Sequence, residues 1–307
     1  HDISMLAHNW QIEAAMLSRE PPAFRLAELR AGVNAALSRY RLTFRTAAVS
    51  DDRVVLSNDV VELVITRVAH PLAPQRFSNA LKARFARVRP NDYAGPLAAH
   101  AHAILIEARV APDVAQDVPA ETRIVIAHAA VTAVQALAWP DLIHWTQSDT
   151  LFLPDEVPPT EGIGFPAMLV TRPEITAAGS DARGRRKFAV TAGLAEHWFG
   201  KPVTVAATAH PLPEVLAVID FCILRHLGGD NLLAEHGVIA LSERTEVVIR
   251  HLGPDDRFAD GRIELSFRNR AQERPAPGPV PFMPQAIPPG AQPVRLADFR
   301  KPRQRLN

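Results

Sequence analysis

The chain has 307 residues, of which 47% are hydrophobic and 22% are charged, and its formal net charge is +1. This composition is typical of a globular protein with enough apolar residues to form a core. A near-neutral charge provides no broad basic surface for nucleic acid or for an anionic membrane, so we expect neither as a partner. No uninterrupted apolar stretch approaches the roughly 20 residues that a membrane-spanning helix needs.

The single cysteine, Cys222, lies in an apolar run. One cysteine forms no disulfide within its own chain, which agrees with a reducing compartment, and we therefore predict a cytoplasmic location. The apolar surroundings favour a small buried side chain at Cys222 over a reactive thiol.

Hydrophobic periodicity and turn residues predict alternating helices and strands up to residue 270. Residues 154–164 and 177–187 are expected to be loops. The predicted helices cover residues 24–40, 75–88, 121–137 and 213–227, and the predicted strands cover residues 42–48, 54–57, 60–68, 102–110, 142–145, 167–171, 203–208, 238–241, 245–251 and 263–267. In the last helix, helical spacing predicts that the buried face consists of Leu216, Ile219, Ile223 and Leu227.

These elements predict an α+β fold in which mixed or antiparallel sheets pack with helices. We expect an amino-terminal half over residues 5–164 and a carboxy-terminal half over residues 165–270 of the same compact unit. Proline is so frequent in residues 271–307 that we predict a flexible tail there.

An Ala-His-Pro-Leu phrase occurs at residues 69–72 and again at residues 209–212. Each copy follows a predicted strand and precedes a predicted helix. Two explanations stay open: the two halves are repeats of one ancestral unit, or one common strand-to-helix turn is used twice.

The sequence contains no strong catalytic or metal-binding motif. The Gly-x-Ser-x-Gly, Walker A and His-Glu-x-x-His patterns are absent. His100 and His102 lie two residues apart at the start of a predicted strand, but a transition-metal site needs three or four ligands. Asp149, Asp255 and Asp256 are interpreted as turn residues. We therefore assign no catalytic, cofactor-binding or metal-binding residue and no cofactor, and favour a protein that is not an enzyme without deciding the question.

Two segments are candidates for partner contacts. Arg183, Arg185, Arg186 and Lys187 form a dense basic run, for which a solvated loop is favoured and contact with an anion or an acidic partner is the alternative. In the tail, the predicted partner-binding residues combine apolar anchors with basic side chains that speed encounter: Val294, Arg295, Leu296, Phe299, Arg300 and Lys301. The expected partner is another protein or a second copy of this chain, and a purely solvated tail is the alternative.

Several phrases occur in a characteristic order. Residues 190–194 (Val-Thr-Ala-Gly-Leu) are followed by residues 199–202 (Phe-Gly-Lys-Pro), by the helix of residues 213–227 and by residues 235–239 (Glu-His-Gly-Val-Ile). In this order, and in residues 102–106 and 143–145 upstream, the chain resembles the bacterial family called domain of unknown function 4261. The resemblance covers about residues 23–267, whereas His197-Trp198 and the proline-rich tail depart from the pattern.

That family has no established chemistry, so the resemblance transfers no catalytic residue. It implies a bacterial protein with a toxin-immunity role or an accessory role in a secretion system such as type VI secretion. The expectation from sequence is therefore a non-enzymatic bacterial protein-binding module. The alternative is a hydrolase whose site is assembled from scattered His, Asp and Glu residues.

Overall fold

The apolar patterns form both strands and helices, and the predicted α+β class with antiparallel and mixed sheets is confirmed. A computed structural model describes residues 11–269 except 113, 115–117, 231 and 234–236, and also describes residues 280–281. By their contacts, these residues form two compact units. The first unit contains residues 11–82 and 89–166, and the second unit contains Ala83–Val88 and the described residues from 167 onward.

Residues 11–166 contain seven strands and five α-helices, of which α3 belongs to the second unit. In chain order they are β1 (Ile12–Ser18), α1 (Leu29–Ala36), β2 (Arg45–Val49), β3 (Arg53–Ser57), β4 (Val61–Val68), α2 (Ser78–Lys82), α3 (Arg84–Val88), α4 (Ala94–Ala99), β5 (His102–Val110), α5 (Ala120–Leu137), β6 (Leu142–Trp145) and β7 (Thr150–Phe152). Short 3-10 turns occupy Leu26–Glu28, Ser38–Tyr40, Pro74–Phe77, Pro154–Glu156 and Thr160–Gly162.

The rest of the second unit follows. Its elements are α6 (Ala167–Val170), β8 (Arg172–Ser180), β9 (Arg186–Gly193), α7 (Glu196–Phe199), β10 (Val203–Thr208), α8 (Leu212–Leu227), β11 (Val238–Ala240), β12 (Thr245–Leu252), β13 (Arg262–Asn269) and β14 (Val280–Pro281).

The first unit is built on a seven-stranded antiparallel sheet in the order β2-β3-β4-β5-β1-β6-β7. One face of its centre contacts α5, which packs against β1, β4 and β5. The opposite face carries a separate apolar cluster that includes Ala15, Leu17, Phe77, Leu97 and Leu142. The centre of the sheet is therefore covered on both faces, which explains why residues 14–17 of β1 are apolar and buried without interruption.

Helix α5 is apolar around most of its circumference because it is enclosed on several sides. Thirteen of its 18 residues are buried. It contacts the sheet and also α1, and a Cβ atom at Gly32 of α1 would lie 3.0 Å from the Ala133 Cβ. Glycine at position 32 therefore allows the two helices to approach closely.

His128, on α5, connects this helix to the segment that follows β7. Its side chain is buried, with its Nε2 2.8 Å from the Pro158 carbonyl oxygen and its Nδ1 3.3 Å from the Thr160 hydroxyl. The carbonyl can only accept, so Nε2 carries the proton. Burial lowers the pKa of His128 to about 4, and the ring is neutral at neutral pH.

The second unit contains a mixed seven-stranded sheet in the order β14-β11-β12-β13-β10-β9-β8. β10 is parallel to β13 and β11 is parallel to β14, whereas the other pairs are antiparallel. Val203, Val205, Ile263 and Leu265 alternate along two neighbouring strands and are buried, so they point to one face of the sheet.

Helix α8 lies on that apolar face. Immediately before the helix, the His210 ring is 4.7 Å from the Phe267 ring, and beyond its end, the Leu233 carbonyl lies 2.6 Å from His251 Nε2. Phe267 and His251 continue the inward-facing rows of β13 and β12. The two ends of the helix are therefore both held against the sheet.

The predicted buried face of α8 is wrong in part. Ile219 and Ile223 are buried, but Leu216 and Leu227 are only half-buried. The buried stripe consists of Val215, Val218, Ile219, Cys222 and Ile223. The stripe is rotated because the smaller Val and Cys side chains fit closer to the sheet than the leucines that the periodicity favoured.

Cys222 is buried, as predicted. Burial raises the pKa of its thiol to about 12 and also raises the pKa of Asp220, on the same helix, to about 7. The thiol is therefore protonated at neutral pH and unreactive.

One other secondary-structure prediction is wrong, and two are right only in part. Residues 167–171, predicted as a strand, contain helix α6, and much of the predicted loop 177–187 belongs to the β8–β9 hairpin. The predicted helix 75–88 is divided into a 3-10 turn, α2 and α3. In the hairpin, pairing with β9 overrides the low strand propensity of a polar, glycine-containing sequence.

Duplication of the two halves is not confirmed. Both Ala-His-Pro-Leu phrases follow a strand and precede a helical segment. However, β4 pairs antiparallel with both of its neighbours, whereas β10 has one parallel neighbour. Among the residues described above, no helix is both long and apolar enough to cross a membrane.

Replacing Ile223 with Ala should lower the free energy of unfolding by about 2–5 kcal/mol, because the side chain is fully buried. Leu216→Ala is the matched control on the same helix and should cost less than half as much, since Leu216 is partly solvated. Urea denaturation of both variants measures the difference, and equal costs would contradict the face assigned here.

Stability should depend on pH through His128. The unfolded chain protonates this ring below about pH 6.5, whereas the folded chain does so only near pH 4, so acid favours unfolding over that interval. This group should remove about 3 kcal/mol of stability between pH 7 and pH 4. We expect His128→Gln to lose correspondingly less over the same range in urea titrations, and an unchanged pH dependence would refute the assignment.

Candidate functional site

The candidate site begins at the turn that joins β8 to β9. Asp181 Oδ1 accepts hydrogen bonds from the backbone N–H groups of Arg183 and Arg185, both at 2.9 Å, and Oδ2 accepts one from Arg185 Nε at 2.7 Å. Gly184, at φ +74°, supplies the left-handed backbone of this turn. The bond from the Arg185 backbone is the largest of the effects that lower the pKa of Asp181. The ionised carboxylate thus fixes both the turn and the direction of Arg185.

The end of β10 provides the second part of the site. Its pairing with β9 is interrupted between Val205 and Thr208 by a β-bulge that contains Ala206 and Ala207. Bulges redirect strands and are frequent beside binding sites. After Thr208 the chain leaves the sheet through His210 toward α8, while β9 and β13 extend on either side. A groove opens where β10 leaves.

This groove, which we call the basic groove, has a volume of about 280 Å³. Its lining includes the cationic side chains Arg185, Lys187 and Arg268, together with the acidic Asp181. Arg268 Nε donates to Glu246 Oε1 at 2.5 Å. Lys187 has no ion-pair partner in the part of the chain that the structure describes. With three cations and one anion, the lining has a charge of +2 when His210 is neutral.

One wall of the basic groove is apolar. Phe267 and His210 pack with their ring centroids 4.7 Å apart, and Ala207 and Ala209 lie beside them. His210 Nδ1 also lies 3.5 Å from Glu214 Oε2. The groove therefore combines cationic donors with hydrocarbon surface, which suits a ligand that carries both carboxylates and apolar groups.

The basic run seen in the sequence is divided between the groove and the solvent. Arg185 and Lys187 line the basic groove, whereas Arg183 and Arg186 are exposed outside its lining. Arg268 was not recognised from sequence, because it lies on another strand and no local pattern marks it. His210 was noticed only as part of the repeated phrase. The predicted contacts of the tail, Val294, Arg295, Leu296, Phe299, Arg300 and Lys301, lie outside the described residues and stay a prediction.

His100 has a structural role. It precedes β5, is buried, and its Nε2 accepts a hydrogen bond from the Leu72 backbone N–H at 2.9 Å. The other ring nitrogen therefore donates to the Leu97 carbonyl. His102 begins β5 and is half-buried. Within the described residues, no three His, Cys, Asp or Glu side chains come together as a metal site.

His144 and Asp149 are the pair that most resembles catalytic machinery. His144 Nε2 lies 2.8 Å from Asp149 Oδ1, and Asp149 has a left-handed backbone with φ +46° in the turn between β6 and β7. The His144 side chain is only 3% exposed and packs edge-on against Phe77 at 5.1 Å. A substrate cannot reach a ring in this position, so the pair holds the β6–β7 turn against the core.

Comparisons of the chain with protein-family models, with curated proteins and with solved structures found no match. The resemblance to domain of unknown function 4261 therefore stays a prediction.

The carboxylate of Asp181 should control the order of the β8–β9 turn. Asp181→Ala removes the acceptor of three hydrogen bonds, so trypsin should cut the exposed arginines of the turn faster. Asp51→Ala, at the exposed turn before β3, is the control and should leave cleavage in the β8–β9 turn unchanged. Mass spectrometry of timed digests measures both rates. Equal cleavage in wild type and Asp181→Ala would show that the turn does not need the carboxylate.

Proposed function

We propose that this chain is a non-enzymatic protein-binding module that binds an acidic segment of a partner protein in the basic groove. The observation that carries the proposal is the cluster of Arg185, Lys187 and Arg268, which the β8–β9 turn, β9 and β13 bring to one groove.

The free donors of the groove favour carboxylates as ligands. Arg185 and Arg268 each use Nε in an intramolecular ion pair, with Asp181 and Glu246 respectively. Their terminal nitrogens have no partner among the described residues, so each guanidinium remains able to bind a ligand carboxylate. Lys187 adds a third charge, which has no ion-pair partner within the described part of the chain.

The apolar wall favours a peptide over a small inorganic anion. A phosphate ion would use the cations but would leave the surface of Phe267 and Ala207 without a partner. An acidic peptide segment supplies carboxylates and hydrocarbon together. Charged contacts at such a surface speed association, and the apolar contacts slow release.

The family resemblance extends this proposal to the biological setting. A bacterial toxin-immunity protein or a secretion-system accessory protein acts by binding another protein, and an acidic segment of a toxin or secretion component fits the charge of the groove. The genes next to the one that encodes this chain test that setting. A neighbouring toxin gene or secretion cluster would support it, and the absence of both would count against it.

Binding should depend on the groove rather than on basic charge in general. Lys187→Ala/Arg268→Ala should weaken the binding of a fluorescein-labelled hexaglutamate peptide to the full chain by about tenfold or more, since hydrogen bonds to charged groups contribute about 1.5–3 kcal/mol. Fluorescence anisotropy at low salt measures the affinity.

Arg183→Ala/Arg186→Ala is the matched control, because it also removes two positive charges, but from positions of the β8–β9 hairpin that lie outside the groove lining. We expect its affinity to stay within about twofold of wild type. Failure of the wild-type chain to bind the peptide, or equal losses in the two double variants, would overturn the proposal. Displacement of the peptide by millimolar inorganic phosphate would replace it with a small-anion site.

A further inference from the structure

A second groove lies on the same sheet, next to the basic groove. It has a volume of about 270 Å³, and Ala207, in the β10 bulge, lines both grooves. The floor of the second groove consists mainly of small side chains, among them Ala189, Thr191 and Ala206. The two grooves therefore meet at a small side chain, that of Ala207.

The loop between β12 and β13 forms the far wall of this second groove. Asp255 Oδ1 accepts hydrogen bonds from the backbone N–H groups of Arg257 and Phe258, both at 2.9 Å, and its other oxygen pairs with Arg262. The bond from the Phe258 backbone is the main cause of the lowered pKa of Asp255. The β8–β9 turn has the same arrangement: an ionised aspartate accepts hydrogen bonds from two backbone N–H groups and pairs with an arginine.

Arg257 provides an unpaired cation at this end. Its Nη2 donates to Thr191 Oγ1 at 3.1 Å, and its guanidinium lies 5.2 Å from the centre of the Phe258 ring. No carboxylate forms an ion pair with it among the described residues, in contrast to Arg262, which pairs with Asp255 and lies 3.8 Å from Glu264. In the second groove Arg257 is therefore the cation without a carboxylate partner among the described residues, as Lys187 is in the basic groove.

Strand β9 sets the spacing between Lys187 and the position at which Arg257 is bonded. Lys187 and Thr191, to which Arg257 is bonded, lie four residues apart on β9 and point to the same face. Four residues of strand span about 13 Å. An extended peptide covers the same distance in about four residues.

We infer that the two grooves form one continuous site for an extended peptide with two acidic residues about four positions apart. One carboxylate binds at Lys187 and the other at Arg257, and the intervening residues lie over Ala189 and Ala207. This inference rests on the proposed function and adds to it the spacing of the acidic residues in the partner.

The test compares two labelled peptides of identical composition. In one, three serines separate two glutamates, and in the other the two glutamates are adjacent. The full wild-type chain should bind the spaced peptide about fivefold more tightly by fluorescence anisotropy, because only that peptide reaches both cations. Arg257→Gln should abolish this preference, because the variant keeps only one of the two cations.

Arg172→Gln is the matched control, since Arg172 is an exposed arginine of the same sheet that lines neither groove. It should retain the preference for the spaced peptide. Thermal transitions of all variants show that each is folded.

Equal affinity for the two peptides in wild type, together with weaker binding in Lys187→Ala/Arg268→Ala, would overturn the continuous site and leave the basic groove as the binding site. Loss of the preference in both Arg257→Gln and Arg172→Gln would likewise overturn it. Failure of both peptides to bind would instead overturn the proposed function.

Discussion

The parallel pairing of β10 with β13 determines the geometry of the second unit. Strand β10 lies between the antiparallel β9 and the parallel β13, and it leaves the sheet at Thr208. Its departure opens the basic groove, and α8 carries the chain back across the apolar face. The bulge at Ala206 and Ala207 then joins this groove to the open polar face. Ligands commonly bind at the carboxyl ends of parallel strands for this reason.

Two aspartates hold arginine side chains in position at the two grooves. Asp181 and Asp255 each accept two backbone hydrogen bonds and pair with an arginine, and both carboxyl groups have lowered pKa values. Exposed interactions of this kind contribute little to global stability. Their effect is to restrict the turns before a ligand arrives, which reduces the entropy that binding must overcome.

Local patterns predicted much of the fold and only part of the candidate site. The spacing of apolar residues is regular enough to predict strands β10 and β13 and helix α8 from the sequence. The β8–β9 hairpin was mistaken for a loop because its order comes from Asp181 and from cross-strand pairing rather than from apolar residues. The groove requires Lys187 and Arg268, which are distant in sequence and meet only through the order of the strands. The sequence shows these charges, but their convergence depends on the order of the strands.

The placement of α5 has a consequence for synthesis on the ribosome. This helix has little polar surface and packs on β1, β4 and β5, and β1 pairs with β5. Strand β1 must therefore wait until β5, at residues 102–110, and then α5, at residues 120–137, have left the exit tunnel. During that interval the apolar strand β1 has neither β5 nor α5 to cover it, and the nascent chain is most exposed to aggregation and to chaperone capture.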